Sequence, residues 1–208
     1  MSAFLRPFRD ALLLILFWIC CFDVHRLLFS IHHWGKLEQV GFGEWLLAFI
    51  YSIRLDIATA CALSAIPFVA RLFCYYSSLR STQRIFRTVL MIVLGFVVLV
   101  QAGEIIAYGE WNHKLTSRVF MHLSNPDEAV RTASYTMILW YAFYAVLQFA
   151  FGWWLAKKLF PRLKTTRYQF SWKHIPAFPV QLGLTLGLFF LLLRGGWQPI
   201  PLNINAAT

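Results

Sequence analysis

The sequence predicts an all-α polytopic membrane protein with five transmembrane helices. Three observations carry that expectation. Of the 208 residues, 59% are hydrophobic and only 13% charged, with a mean hydropathy of +0.60. Soluble domains are about half apolar and about a quarter charged. Five apolar runs are long enough to cross a bilayer, which takes roughly 20 residues each. The basic residues gather in alternate loops between these runs, as membrane orientation requires. A net charge of +10 would suggest nucleic acid in a soluble protein. Basic residues confined to loops assign the charge to orientation instead, so no nucleic-acid partner is expected.

The first run covers about 10–30. Arg6 and Arg9 precede "ALLLILFWICC" there, as in a signal sequence. No small-residue cleavage site follows, so the run reads as an uncleaved first span. The second covers about 44–73, the third about 86–108 and the fourth about 137–160. The fifth, about 175–193, is shorter, with Pro176 and Pro179 in its first turns, where a missing N–H is tolerated. No internal repeat is visible. Five spans also fit poorly with the two equal inverted halves of many transporters.

The N-terminus carries Arg6 and Arg9. The loop after span two carries Arg71, Arg80, Arg84 and Arg87, and the loop after span four carries Lys157, Lys158, Arg162, Lys164, Arg167 and Lys173. The alternate loops mix Lys36 with Glu38 and Glu44, and Lys114, Arg118 and Arg131 with Glu104, Glu110, Asp127 and Glu128. The expected topology is therefore N-in and C-out. Trp153 and Trp154 fit an inner interfacial belt, and Trp34, Trp45, Trp111 and Trp197 an outer one. The chain divides into a transmembrane domain, 1–194, and an extracytoplasmic segment, 195–208. In that segment Gly195 and Gly196 end the helix, and Pro199 and Pro201 favour extended chain. It reads as a linker toward a catalytic domain absent from this chain.

Ionisable groups within spans are costly and usually face a protein interior or a wet cavity. Span one holds Asp23, His25 and Arg26; span two holds Arg54 and Asp56; Glu104 lies at the end of span three. Arg54 and Asp56 are two residues apart, so they do not face each other on a helix. Each needs a partner elsewhere. Antiparallel neighbours bring Asp23 and Arg54 to similar depths, where they can pair. Three readings stay open: a buried ion-pair network that fixes packing, an outward-opening pocket for a lipid head group, and a proton or ion path.

The third loop predicts an amphipathic surface helix. Leu115, Val119, Phe120 and Leu123 recur at spacings of three and four, which makes one apolar face. Asn125-Pro126-Asp127-Glu128 then reads as a second helix start. The surface helix either seals the bundle or forms a docking platform with Glu110, Trp111, Lys114 and Arg118. Cys20, Cys21, Cys61 and Cys74 lie in or beside apolar runs without metal spacing or a disulfide framework. No histidine has zinc-like spacing to other ligands. There is no nucleophile elbow, P-loop or paired catalytic carboxylate.

Several stretches together resemble the membrane domain of the lipoteichoic acid synthase and sulfatase-like transferase family, within the alkaline phosphatase superfamily. They are the N-in, C-out five-span plan, "RLD" at Arg54 to Asp56, and "GEWNHKLTSRVFMHLSNPDEA" after span three. Glu110, Trp111, Lys114, Leu115, Asn125, Pro126 and Glu128 match the family's pattern there. The ending "RGGWQPIPLN" resembles its junction to the outer domain. Glu104 stands where the family more often has aspartate. The resemblance implies a protein of the bacterial cytoplasmic membrane that anchors a catalytic domain and presents lipid to it. It also implies a divalent metal and a threonine or serine-derived nucleophile in that outer domain. Related enzymes transfer phosphoglycerol or phosphoethanolamine, or cleave sulfate esters. None of those catalytic or metal positions lies in these 208 residues. Membrane lipids and the protein's own outer domain are the expected partners. A standalone transporter or lipid flippase, or a non-enzymatic membrane scaffold, is the alternative.

Overall fold

The computed structural model describes residues 3–37, 41–76, 80–111, 134–161 and 177–194. The described residues are helical apart from short caps and turns. Helix α1 spans Arg6–His32 after a short 3-10 turn, α2 is the single turn Trp34–Leu37, and α3 spans Phe42–Tyr76. Helix α4 spans Arg80–Trp111, α5 Tyr135–Leu159 and α6 Ala177–Leu193. Pro7 sits in the first turn of α1, where its fixed φ suits a helix start. The extended Ser134 caps α5 by accepting the Met137 N–H at 3.3 Å.

Among the described residues, four helices are long and apolar enough to cross a membrane: Arg6–His32, Phe42–Tyr76, Ser81–Gly109 and Tyr135–Leu159. Helix α6 is apolar but only 17 residues long, about 25 Å at 1.5 Å per residue. Large apolar side chains cover the outside of the bundle as well as its core. Leu12, Leu16, Ile92, Phe96, Val146, Leu184 and Phe190 are all exposed. An outer face of this kind has no reason to exist in water and fits a hydrocarbon surround.

Neighbouring long helices pack antiparallel. Helix α3 lies against α1, α4 and α6, and α5 lies against α4 and α1. Leu14, Phe17 and Trp18 of α1 are fully buried, joined by Phe68 and Leu72 of α3, Leu94 of α4 and Phe160 beyond α5. Helix α6 begins beside the end of α3. There Tyr76 donates to the Gln181 carbonyl at 2.6 Å, and the Gln181 amide donates to the Phe4 carbonyl at 3.0 Å.

Two sequence expectations change. Arg71 is not a loop cation: it belongs to α3 and is 3% exposed. Helix α3 continues past the apolar run, and the long side chain turns inward toward a carboxylate. Helix α4 likewise begins at Arg80, ahead of the apolar run. The surface helix, with Lys114 and Arg118, and the segment 195–208 lie outside the described residues. Glu110 and Trp111 form the last residues of α4.

Candidate functional site

The spans hold two charged clusters, one toward each end of the α1–α3 seam. The first contains most of the residues singled out from the sequence. Asp23 and Arg26 are one turn apart on α1, and Arg26 Nη1 donates to Asp23 Oδ1 at 3.2 Å. The other arm of the guanidinium, Nη2, donates to Asp56 Oδ1 on α3. The planar fork suits this bridging role, because its donors point in fixed and different directions. The guanidinium also lies 5.9 Å from the Phe49 ring centroid. On the α4 side, His25 Nε2 stands 3.4 Å from Glu104 Oε2, an ion pair when His25 is protonated.

Exposure is graded across this cluster. The side chains of Asp23, Arg26 and Asp56 are 42%, 24% and 8% exposed. One end is open and the other closed. At the closed end Asp56 Oδ2 is buried without a hydrogen-bond partner, and so is His25 Nδ1. Buried polar atoms are nearly always satisfied, so such exceptions call for a physical reason.

The pairing expected between Asp23 and Arg54 is overturned. Asp23 goes to Arg26, its neighbour one turn away, and Arg54 lies on the exposed side of α3. Opposing Arg26 to Asp56 sets Asp23 and Arg54 about 7.5 Å apart along the antiparallel axes at 1.5 Å per residue, and rotation about the axis decides which charge faces inward. Asp56 does find its partner on another helix. Glu104 joins through His25.

Above the cluster an aromatic collar ties α1 to α4 and α5. His32 Nδ1 lies 2.9 Å from the Tyr144 hydroxyl, and His33 Nε2 lies 2.9 Å from the Ile105 carbonyl. Phe29, His33 and Tyr108 pack with centroids 4.7 to 5.0 Å apart. Trp45 Nε1 donates to Ser30 Oγ at 3.0 Å, joining α3 to α1. The adjacent histidines are thus explained by packing and hydrogen bonds. Among the described residues, no group of three His, Cys, Asp or Glu side chains is arranged to hold a metal ion.

The second cluster was missed in the sequence. Asp10 is 1% exposed. Its Oδ2 accepts from Arg71 Nε and from the Tyr75 hydroxyl, both at 2.7 Å. Its Oδ1 accepts from Arg9 at 3.0 and 3.3 Å. Arg71 also lies 5.0 Å from the Phe86 ring centroid and 5.8 Å from that of Phe160. The available signal was scarcity. The chain has nine acidic residues, and Asp10 alone sits at a strongly basic helix end.

No protein-family model matches this chain, and no curated protein or solved structure matches it either. The likeness to lipoteichoic acid synthases accordingly rests on the sequence motifs alone.

Proposed function

We propose that this chain is a five-span domain of the bacterial cytoplasmic membrane that holds a polar lipid head group in its outer half. The observation that carries the reading is Asp56. It is 6% exposed, keeps one carboxylate oxygen without a partner, and ends a charged cluster that opens at Asp23. Arg26 answers two carboxylates at once. This acidic excess around Arg26 favours a head group bearing an ammonium.

Antiparallel packing gathers Arg6, Arg9, Arg84, Arg87, Lys157 and Lys158 at one end of the bundle, away from the Asp23–Asp56 cluster. That asymmetry supports an N-terminus in the cytoplasm. Helix α6 starts at the same basic end, which supports a fifth crossing and an outer C-terminus. Its 17 residues reach the lower limit of spanning helices.

The motifs at Arg54–Asp56 and in the third loop support a further step. In this reading the domain anchors a sulfatase-like transferase or hydrolase and presents lipid to an outer catalytic domain. The divalent metal would belong to that outer domain. The transporter reading has less support: Leu14, Phe17, Trp18, Ala60, Cys61 and Phe68 fill the seam between the two charged clusters.

Lipid retained by the purified chain tests the proposal. Mass spectrometry is expected to find an amine-headed phospholipid enriched over the bulk membrane, with the enrichment lost in Asp56→Asn while the protein stays folded. Equal recovery of all lipid classes from wild type refutes the head-group reading. A phosphatase that is active only in the periplasm, fused after Thr208, checks the orientation; a fusion that is produced at full length but inactive refutes it.

A further inference from the structure

We propose an internal water site: His25, Gln101 and Gln148 form a polar layer where α1, α4 and α5 meet, and the layer holds ordered water deep in the bundle. Its entrance lies beside Glu104. His25 links it to the cluster described above, but the layer does not depend on the head-group reading.

The apolar core of the bundle is in two parts, and the layer falls in the break between them. Phe22, Val98 and Ala156 belong to the larger part; Ala102 and Tyr144 belong to the smaller, with Leu28 packed on it. On α1 the break from Phe22 to Leu28 contains His25. On α4 the break from Val98 to Ala102 contains Gln101, which is buried. On α5 the break from Ala156 to Tyr144 contains Gln148. Each of three helices therefore contributes one polar side chain to the gap.

Register and rotation bring these residues to one level. The His32–Tyr144 contact at 2.9 Å and the Phe17–Phe160 ring contact at 6.2 Å fix how α1 runs against α5. Both set Gln148 about one turn from the level of His25. Gly152 lies against Leu94, which sets Gln148 within about one turn of Gln101. Tyr144, Gln148, Gly152 and Ala156 recur at every fourth residue as the buried face of α5. That face meets α1 at Tyr144 and α4 at Gly152, so Gln148, between them, points into the junction.

Gln148 is 4% exposed, and neither its amide nitrogen nor its amide oxygen has a hydrogen-bond partner in the protein. His25 Nδ1 is also buried without a partner, while Nε2 faces Glu104 at 3.4 Å. A bare buried amide destabilises a fold, so a glutamine here is favourable only when something answers it. The bare atoms call for donors and for an acceptor, and a water molecule supplies both. The side chains of Glu104 and His25 are 26% and 11% exposed, and exposure falls further at Gln148, so the layer is reached from the Glu104 side. Toward the basic end, Phe22, Leu94 and Val98 are buried and close it. The layer is thus a dead end rather than a channel. Gln148 lies 13 residues into α5, about 20 Å along the helix, which carries water to the depth of the hydrocarbon core.

The test is X-ray hydroxyl-radical labelling of the full chain in nanodiscs, read by mass spectrometry. Radicals formed from a water label the side chains beside it, even where bulk solvent does not reach. His25 and Tyr144 are expected to label severalfold faster than Phe17 and Phe68, which are fully buried in the larger part of the core. Gln148→Leu is expected to lower labelling at His25 and Tyr144 severalfold and to lower the Tm, because it removes a satisfied amide. If His25 and Tyr144 are as protected as Phe17 and Phe68 in wild type, the layer is dry and the proposal is overturned. Unchanged labelling in a folded Gln148→Leu, or a Tm above wild type, overturns it as well, since a dry orphaned amide is better replaced by an apolar side chain. The wild-type contrast needs no variant, so it decides even where Gln148→Leu does not fold.

Discussion

Arg71→Met tests the reading of the Asp10 cluster most directly. In the folded chain the Asp10 and Arg71 side chains are 1% and 4% exposed, with Nε 2.7 Å from Oδ2. Methionine keeps an apolar stem of similar length against Phe86 and Phe160 but removes the charge. Asp10 then retains Tyr75 on one oxygen and Arg9, a 53% exposed side chain, on the other. Breaking a buried pair by removing one partner costs about 3–5 kcal/mol. At roughly 2–4 °C per kcal/mol for a chain of this size, the Tm is expected to fall by about 6–20 °C. Arg9 can shift inward, which favours the lower half of that range. The assay is thermal unfolding in a single detergent, followed by the monodisperse fraction after heating. Adding Asp10→Asn removes the stranded charge, so the double variant is expected to recover more than about 1 kcal/mol relative to Arg71→Met. If Arg71→Met melts within about 1 kcal/mol of wild type, or Asp10→Asn rescues nothing, the buried pair does not hold these helices as argued.

Three further outcomes follow from other contacts. Arg26→Met is expected to cost more stability than Arg54→Ala in the same assay, because Asp23 and Asp56 both keep Arg26 when Arg54 is removed; the reverse order refutes the assignment. Gly152→Ala places a methyl 2.8 Å from both Leu94 δ-carbons, an overpacking cost of about 1–3 kcal/mol, and shortening Leu94 is expected to relieve part of it. Trp45→Phe removes the hydrogen bond to Ser30 Oγ and is expected to lower stability by about 0.5–1.5 kcal/mol, with little further loss when Ser30→Ala is added.

The long helices were legible because apolar length is a one-dimensional signal, and bilayer thickness sets its scale. Their ends were not. Helix α3 runs on to Tyr76 and α4 starts at Arg80, because helical hydrogen bonding continues where the apolar run has already stopped. Counting each arginine beyond a run as a loop cation therefore misassigned Arg71. The Asp23–Asp56 cluster was half legible. Asp23, Arg26, Asp56 and Glu104 stood out as charges in apolar context, and their depths follow from residue number. Their pairing depends on rotation about the helix axis. In a soluble helix the apolar stripe reveals that rotation. Here Ile53 and Leu55, beside Arg54, are exposed, and apolar residues cover every face. Nothing in the sequence distinguishes the side bearing Arg54 from the side bearing Asp56.

The two clusters have different chemistry, and the difference separates the one that fixes the fold from the candidate site. Asp10 and Arg26 are sixteen residues apart on α1; Asp56 and Arg71 are fifteen apart on α3. At 1.5 Å per residue these spacings are about 24 Å and about 22 Å, so antiparallel helices satisfy both pairs in one register. A slip of one turn, about 5.4 Å, keeps apolar side chains opposite apolar side chains but breaks both pairs together. Either pair therefore selects the register, and the second adds redundancy. At the Asp10 end the function stops there: Asp10 has both oxygens engaged by three donor side chains. At the Asp56 end it does not. Arg26 is shared between Asp23 and Asp56, and Asp56 Oδ2 is left bare at the closed end of an opening cluster. A pair retained for register alone gains nothing from an unanswered oxygen, which costs about 1–3 kcal/mol or more when charged. A ligand that supplies a donor to Asp56 would remove that cost.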